Sequence, residues 1–185
     1  MLIVISGPIA SGKSTVARAL AQEVERHGAT AAAIDLDVVY DMLEHNNARK
    51  DDASKWFRTR HAAAALATGL MMEGIDVVIV EGDFLAPTDR ADFLQSLQAR
   101  VEPRFVTLRV SFEDALQRVD NDTTRTFSRD RPFLWRHYQA AEAALRDLPP
   151  TDLLLDTGSV AADETARMIA EWALGDLRGQ VSLGQ

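Results

Sequence analysis

The chain has 185 residues, 46% of them hydrophobic, enough for one α/β domain with a substantial core. It carries 28 acidic against 20 basic residues, a net charge of −8 whose field disfavours nucleic acid as a partner. The absence of cysteine excludes disulfide, thiolate and cysteine–zinc chemistry, and His27, His45, His61 and His137 lack metal-ligand spacing and read as surface or packing residues.

The first strand signal is Leu2–Ser6. No basic leader precedes it, and no apolar stretch is long enough to cross a bilayer, so a cytoplasmic protein with no membrane partner is expected. Gly7 to Ser14 then read GPIASGKS, the string G-x-x-x-x-G-K-[ST], and Val16, Leu20 and Val24 repeat every fourth residue after it. Strand, loop and helix in this order are the context that gives the string its meaning as a phosphate-binding loop. Gly7 and Gly12 permit backbone conformations closed to other residues, so that N–H groups along Ala10, Ser11 and Gly12 face inward as an anion nest. Lys13 is expected on the β- and γ-phosphates, Ser14 on Mg²⁺ and Thr15 near the α-phosphate, with ATP and Mg²⁺ as the bound pair.

The second strand signal, Ala31–Asp35, leads into Leu36-Asp37. Alternation along an extended segment puts Asp35 and Asp37 on one side. Asp37 is the candidate base that orients an acceptor hydroxyl, and Asp35 the candidate acid for Mg²⁺; helix capping or a turn is the alternative for both. Residues 38–54 look irregular, and the alanine-rich stretch from about Ala53 to Met72 reads as a long helix. Near its start, Arg58 and Arg60 either bind an anionic acceptor group or pair with Asp51, Asp52 or Glu73.

The third strand signal, Asp76–Glu81, runs into Gly82-Asp83-Phe84. Glu81 or Asp83 either holds the water shell of Mg²⁺ or binds a polar or cationic acceptor group, and Gly82 is expected to let the acceptor approach the backbone. A helix is expected from Thr88, a strand over Arg104–Val110, and a helix from the S-x-x-D start signal of Ser111 and Asp114. Arg118, Arg125, Arg129, Arg131 and Arg136 cluster in an otherwise acidic chain and read as an arginine-bearing lid over the transferring phosphate. A helix carrying Leu134, Tyr138, Ala141 and Leu145, a strand over Asp152–Asp156 and a last helix from Ser159 complete the series. Strands alternating with helices imply βαβ units and a parallel sheet, with ligands beyond the carboxyl ends of the strands.

GPIASGKS, Asp35-x-Asp37, Phe57-Arg58, and Arg131-Pro132-Phe133-Leu134 together resemble the shikimate kinase and gluconate kinase group. Adenylylsulfate kinase and chloramphenicol phosphotransferase are similar in the loop and the aspartate after the second strand. The resemblance implies a three-layer α/β/α P-loop NTPase fold with a five-stranded parallel sheet and a small helical lid. It implies one kinase domain over residues 1–178, an acceptor segment at about 38–72, a lid at about 119–132, and a flexible tail at 179–185. It further implies Arg118 and Thr157 beside the adenine, Arg125 and Arg129 from the lid on the phosphates, and Asp37, Arg58 and Arg131 around the acceptor, where the residues themselves add Glu81, Gly82 and Asp83. Glu81-Gly82-Asp83 replaces the glycine run of shikimate kinases, and His61 stands where an acid is expected after Arg58. Carboxylates there would repel a carboxylate acceptor, which leaves an uncharged or cationic hydroxyl compound, antibiotics included.

The expected activity is transfer of the γ-phosphate of Mg·ATP to a hydroxyl of a small molecule, by a monomer or homodimer. The alternatives are a nucleoside or nucleotide kinase, with Trp56, Phe57 and Phe84 stacking a base, and a non-catalytic nucleotide-dependent regulator. A GTPase is disfavoured because no N-K-x-D string occurs.

Overall fold

The computed structural model describes residues 1–43, 53–98, 101–123, 127–150 and 152–181. Five strands, β1 (Leu2–Ser6), β2 (Ala31–Asp35), β3 (Val77–Glu81), β4 (Arg104–Arg109) and β5 (Leu153–Asp156), form one sheet in the order β2-β3-β1-β4-β5. Every pairing is parallel, with Val4 opposite Val80 and Phe105, and Asp35 opposite Glu81. The helices are α1 (Lys13–Arg26), α2 (Leu36–Leu43), α3 (Ala53–Met72), α4 (Pro87–Ser96), α5 (Phe112–Asn121), α6 (Arg131–Arg146) and α7 (Ala162–Val181), with a 3₁₀ turn at Phe127–Arg129.

The apolar runs of β1 and β3 are buried throughout because helices cover both faces. Ile3, Ile5, Val77 and Ile79 face Val16, Leu20 and Val24 of α1 and Ala166, Ile169 and Ala173 of α7. Their alternating neighbours Leu2, Val4, Val78 and Val80 face Leu36 and Val39 of α2, Ala63, Ala64 and Ala67 of α3, and Phe93 of α4. A third cluster joins Ala10 of the loop after β1 to Val119 of α5 and to Leu134 and Tyr138 of α6. The two large layers make the three-layer architecture, and the third cluster fastens the carboxyl end of the sheet.

Ser111 caps α5 by accepting from the Asp114 N–H at 3.0 Å, as its start signal predicts. Several boundaries differ from expectation. Asp37 does not lie on an extended segment: β2 stops at Asp35, whose Oδ1 accepts the Asp37 N–H at 2.8 Å and the Val38 N–H at 3.4 Å. That carboxylate starts α2, so residues 38–43 are helical, while 44–52 lie outside the described residues. The last helix begins at Ala162 rather than Ser159 and continues through Val181; residues 182–185 lie outside the described residues. Of the expected lid, residues 119–121 belong to α5 and 131–132 to α6, and residues 124–126, Arg125 among them, lie outside the described residues.

Two arginines lock the layers. The Arg60 guanidinium reaches Asp89 and Asp92 of α4, both at 3.0 Å; of the acids expected for it, Asp51 and Asp52 lie outside the described residues. Arg90 donates to the Phe84 carbonyl at 2.9 Å and to Asp152 at 2.6 Å, and lies 4.4 Å over the Phe105 ring. The Arg90 and Asp152 side chains are only 10% and 6% exposed. Arg90→Ala therefore leaves a buried carboxylate without its counter-charge and is expected to lower unfolding free energy by about 3–5 kcal/mol in a denaturant titration. The double variant Arg90→Met/Asp152→Leu is expected to recover most of that loss.

Candidate active site

The loop between β1 and α1 is held by its carbonyl oxygens. Gly7 O and Pro8 O accept from Lys13 Nζ at 2.9 and 3.0 Å, and Ile9 O from the Tyr138 hydroxyl at 2.7 Å. Ala10 O accepts from Arg118 Nη1 at 3.0 Å, and Ser11 O from Thr157 Oγ1 at 2.8 Å. With the carbonyls committed outward, the N–H groups are left to the other side. Ile9 N–H is taken by His137 and Ser11 N–H by Pro8 O. The N–H groups of Ala10, Gly12, Lys13, Ser14 and Thr15 meet no backbone acceptor among the described residues. The last three open α1, where the helix dipole is positive. Such a row of N–H groups is an anion nest.

Backbone strain is part of this geometry. Gly12 has φ 94° and Ala10 φ 63°, a left-handed conformation that costs a residue with a side chain about 1–2 kcal/mol. At Gly7 a Cβ would stand 2.5 Å from Leu108 O and 2.7 Å from Ser11 Oγ, so only glycine fits. Ser11 Oγ is buried with no hydrogen-bond partner among the described residues, as expected of a group waiting for a ligand.

Beside the nest lies a cavity of about 400 Å³ lined by the loop, Thr15, Arg118, Thr157, Ala161 and Thr165. Arg118 also donates to Thr157 O and so ties α5 to the segment after β5. The cavity adjoins the loop through Ala10, Ser11 and Gly12, as a base-and-sugar site must. Thus the structure brings Gly7, Ala10, Ser11, Gly12, Lys13, Ser14, Thr15, Arg118 and Thr157 together.

On the other side of the loop the β2–β3 register sets Asp35 next to Glu81. Glu81 is 4% exposed and lies beside Asp35, with Ser14 and Lys13 close enough to act on its carboxyl. Burial pushes its carboxyl up from 4.5 to about 7; Asp35 adds to the rise, while Ser14 and Lys13 oppose it. The Ser14 hydroxyl and the Asp35 and Glu81 carboxylates form an all-oxygen donor set suited to Mg²⁺. Among the described residues no cage of three or more acidic or imidazole side chains forms.

The acceptor-side expectations fare unevenly. Asp37 is exposed in the first turn of α2, two residues beyond Asp35, and Arg58 is on the exposed side of α3. Asp83 is exposed just past β3. Gly82 does not leave room for a ligand: a Cβ there would stand 2.6 Å from Leu36 Cβ, so its bare face is filled by the start of α2. Phe84 is fully buried with its ring centroid 5.2 Å from that of Phe93, and Trp56 packs on Tyr40 at 4.3 Å, which removes Phe84 as a base-stacking residue. The lid arginines are also occupied. Arg129 donates to the carbonyls of Asp120 and Asp122 at the end of α5, and Arg131 to the Asp120 carboxylate at 2.9 Å. Neither lines the cavity.

Sequence reasoning missed His137 and Tyr138. They lie one residue apart on α6 and bind the two polar backbone groups of Ile9. Tyr138 continues the buried stripe of Leu134 and Ala141, which makes it legible as core. No local spacing announces the His137 contact, which spans 128 residues.

Glu81 makes stability depend on pH. Its folded form binds a proton more tightly than the unfolded chain, so its contribution is full below about pH 4.5 and is lost as pH rises through about 7. Glu81→Gln is expected to stabilise the ligand-free protein at pH 8 by on the order of 1–3 kcal/mol, with the gain shrinking toward pH 5. Thermal melts at the two pH values check this.

The whole architecture is shared with kinases of small molecules. The Acinetobacter baumannii shikimate kinase in complex with shikimate superposes with a TM-score of 0.67 at 18% identity, covering 95% of this chain and 93% of that one. A Sinorhizobium meliloti gluconokinase gives 0.64 at 20% identity, over 98% and 95%. The Mycobacterium tuberculosis APS kinase in complex with AMPPNP and APS gives 0.64 at 17% identity, over 92% and 95%. At these identities the likeness establishes the α/β P-loop NTPase fold. No curated protein matches the chain in sequence. Residues 2–133, which hold the phosphate loop, the Asp35–Glu81 pair and the start of α6, match a family model, and the chain belongs to the AAA domain family.

Proposed function

We propose that this protein is an ATP-dependent kinase that transfers the γ-phosphate to a hydroxyl group of a small molecule. The observation that carries the reading is the convergence, at one end of the sheet, of the inward N–H row, Lys13, and the Ser14–Glu81–Asp35 oxygen set. A bare phosphate-binding turn would not need a buried acid such as Glu81 beside Asp35, which costs stability. The structural neighbours include proteins whose names describe phosphoryl transfer to shikimate, gluconate and APS, and one holds AMPPNP. Among the described residues no helix is long and apolar enough to cross a membrane.

The roles follow from position. The N–H row and Lys13 bind the phosphates, Thr15 flanks them, and the cavity beside Arg118 and Thr157 takes the adenosine. Ser14, Asp35 and Glu81 would hold Mg²⁺, which supplies charge neutralisation at the β- and γ-phosphates when bound. Asp37, exposed in the first turn of α2 two residues beyond Asp35, orients the acceptor hydroxyl and takes its proton. Asp83 and Arg58 border the acceptor on the β3 and α3 sides. Arg129, Arg131 and Arg125 supply positive charge from the lid once the first two leave their contacts at the end of α5. Acids at Asp37 and Asp83 on the acceptor side favour an uncharged or cationic alcohol over a carboxylate.

ADP release from Mg·ATP, measured with shikimate, gluconate, nucleosides, nucleotides, adenylylsulfate and hydroxylated antibiotics, is expected to rise strongly with one acceptor class. Tight ATP binding with no acceptor-dependent turnover would favour a nucleotide-controlled regulator. Lys13→Ala is expected to abolish turnover, and near-full activity would contradict the phosphate-loop role. Asp37→Asn is expected to lower kcat by 10²-fold or more, with ATP affinity within a few-fold, and an unchanged kcat would remove Asp37 from the base role.

A further inference from the structure

We propose that His137 is a positioning residue for nucleotide binding: its Nε2 takes the Ile9 N–H and, with Tyr138 on the Ile9 carbonyl, fixes the turn from which the phosphates are held. The inference concerns nucleotide affinity and rests on the phosphate-loop part of the proposed function, not on the acceptor.

The contacts are specific. Ile9 N–H donates to His137 Nε2 at 3.1 Å, and the Tyr138 hydroxyl donates to Ile9 O at 2.7 Å. One residue of the loop thus has its donor and its acceptor both bound, by neighbours on a single helix. The next residue is Ala10, whose φ of 63° is unusual for a side chain and needs outside support. Ile9 and Ala10 also pack with Leu134 and Tyr138 in the cluster that holds α5 and α6 to the loop. The helix that makes the clamp begins at Arg131, in the last part of the expected lid segment.

Only a neutral imidazole with its proton on Nδ1 can accept at Nε2. Burial lowers the His137 pKa most; Lys13 on α1 lowers it further, and Asp83 beyond β3 raises it. On α6 itself the neighbours are Phe133, stacked at 6.4 Å between centroids, and Tyr138, edge-on at 6.2 Å. Protonation would set two donors against each other at Ile9 and release the turn. Nucleotide affinity should therefore fall in acid through His137 itself, beyond any change due to titration of the nucleotide.

AMPPNP binding by calorimetry with Mg²⁺ present, at pH 5.5 to 8, tests this in the wild type, His137→Ala, His137→Gln and Tyr138→Phe. At pH 8, His137→Ala is expected to lose tenfold or more in affinity, and Tyr138→Phe several-fold. His137→Gln, whose Oε1 still accepts but does not titrate, is expected to recover most of the loss and to lack part of the wild-type fall toward pH 5.5. Wild-type affinity in His137→Ala, or an acid limb in His137→Gln identical to that of the wild type, would overturn the proposal. If His137→Ala does not fold, judged by its melt without ligand, the wild type and His137→Gln compared across pH decide alone. A wild type that does not bind AMPPNP would overturn the phosphate-loop reading and this proposal together; binding without kinase turnover would leave this one standing.

Discussion

Everything at the carboxyl end of the sheet depends on where the carbonyl oxygens of residues 7–11 point. Each is bound by a side chain from elsewhere: Lys13 of α1, Tyr138 of α6, Arg118 of α5 and Thr157 after β5. A peptide whose C=O is fixed on one side presents its successor's N–H on the other, so Tyr138 on Ile9 O and Thr157 on Ser11 O turn the Ala10 and Gly12 N–H groups toward the nest. The arrangement also explains how a strained Ala10 is tolerated: neighbouring groups from several elements over-determine its backbone. The loop needs glycine only at Gly7, for want of space, and at Gly12, for its backbone angle.

The opposite electrostatic choice is made one strand away. Asp35 and Glu81 are placed side by side by the parallel register, in a setting where burial disfavours charge. Asp35 meanwhile performs a structural task, capping α2, which limits where its carboxylate can point. Cationic Lys13 and the nest lie on one side and the Asp35–Glu81 pair on the other, the two kinds of group a metal-bound triphosphate would engage. Keeping the Glu81 carboxyl buried costs stability, the usual cost of a preorganised site.

Much of this was legible in the sequence. The loop motif lies between an apolar strand and an i, i+4 stripe, and both flanking elements formed where the periodicity put them. Continuous apolar runs reported a doubly covered parallel sheet, and Ser111 with Asp114 reported the start of α5. Failures arose where a distant partner decided the outcome. Asp35 and Asp37 look alike in a strand, but an aspartate that caps its own successor turns the chain into helix. Gly82 looks like room for a ligand, but Leu36 fills it. His137 had no signal at all, because its partner is a backbone N–H more than a hundred residues away.

The central claim is that the loop holds a preformed row of inward N–H groups for phosphate. The most direct measurement is the change in backbone amide resonances of isotopically labelled protein on adding Mg·AMPPNP. The account predicts large shifts at Ala10, Gly12, Lys13, Ser14 and Thr15 and small ones at Ile9 and Ser11, whose N–H groups are already bound within the protein. Shifts that spare the start of α1, or that are largest at Ile9 and Ser11, would contradict it.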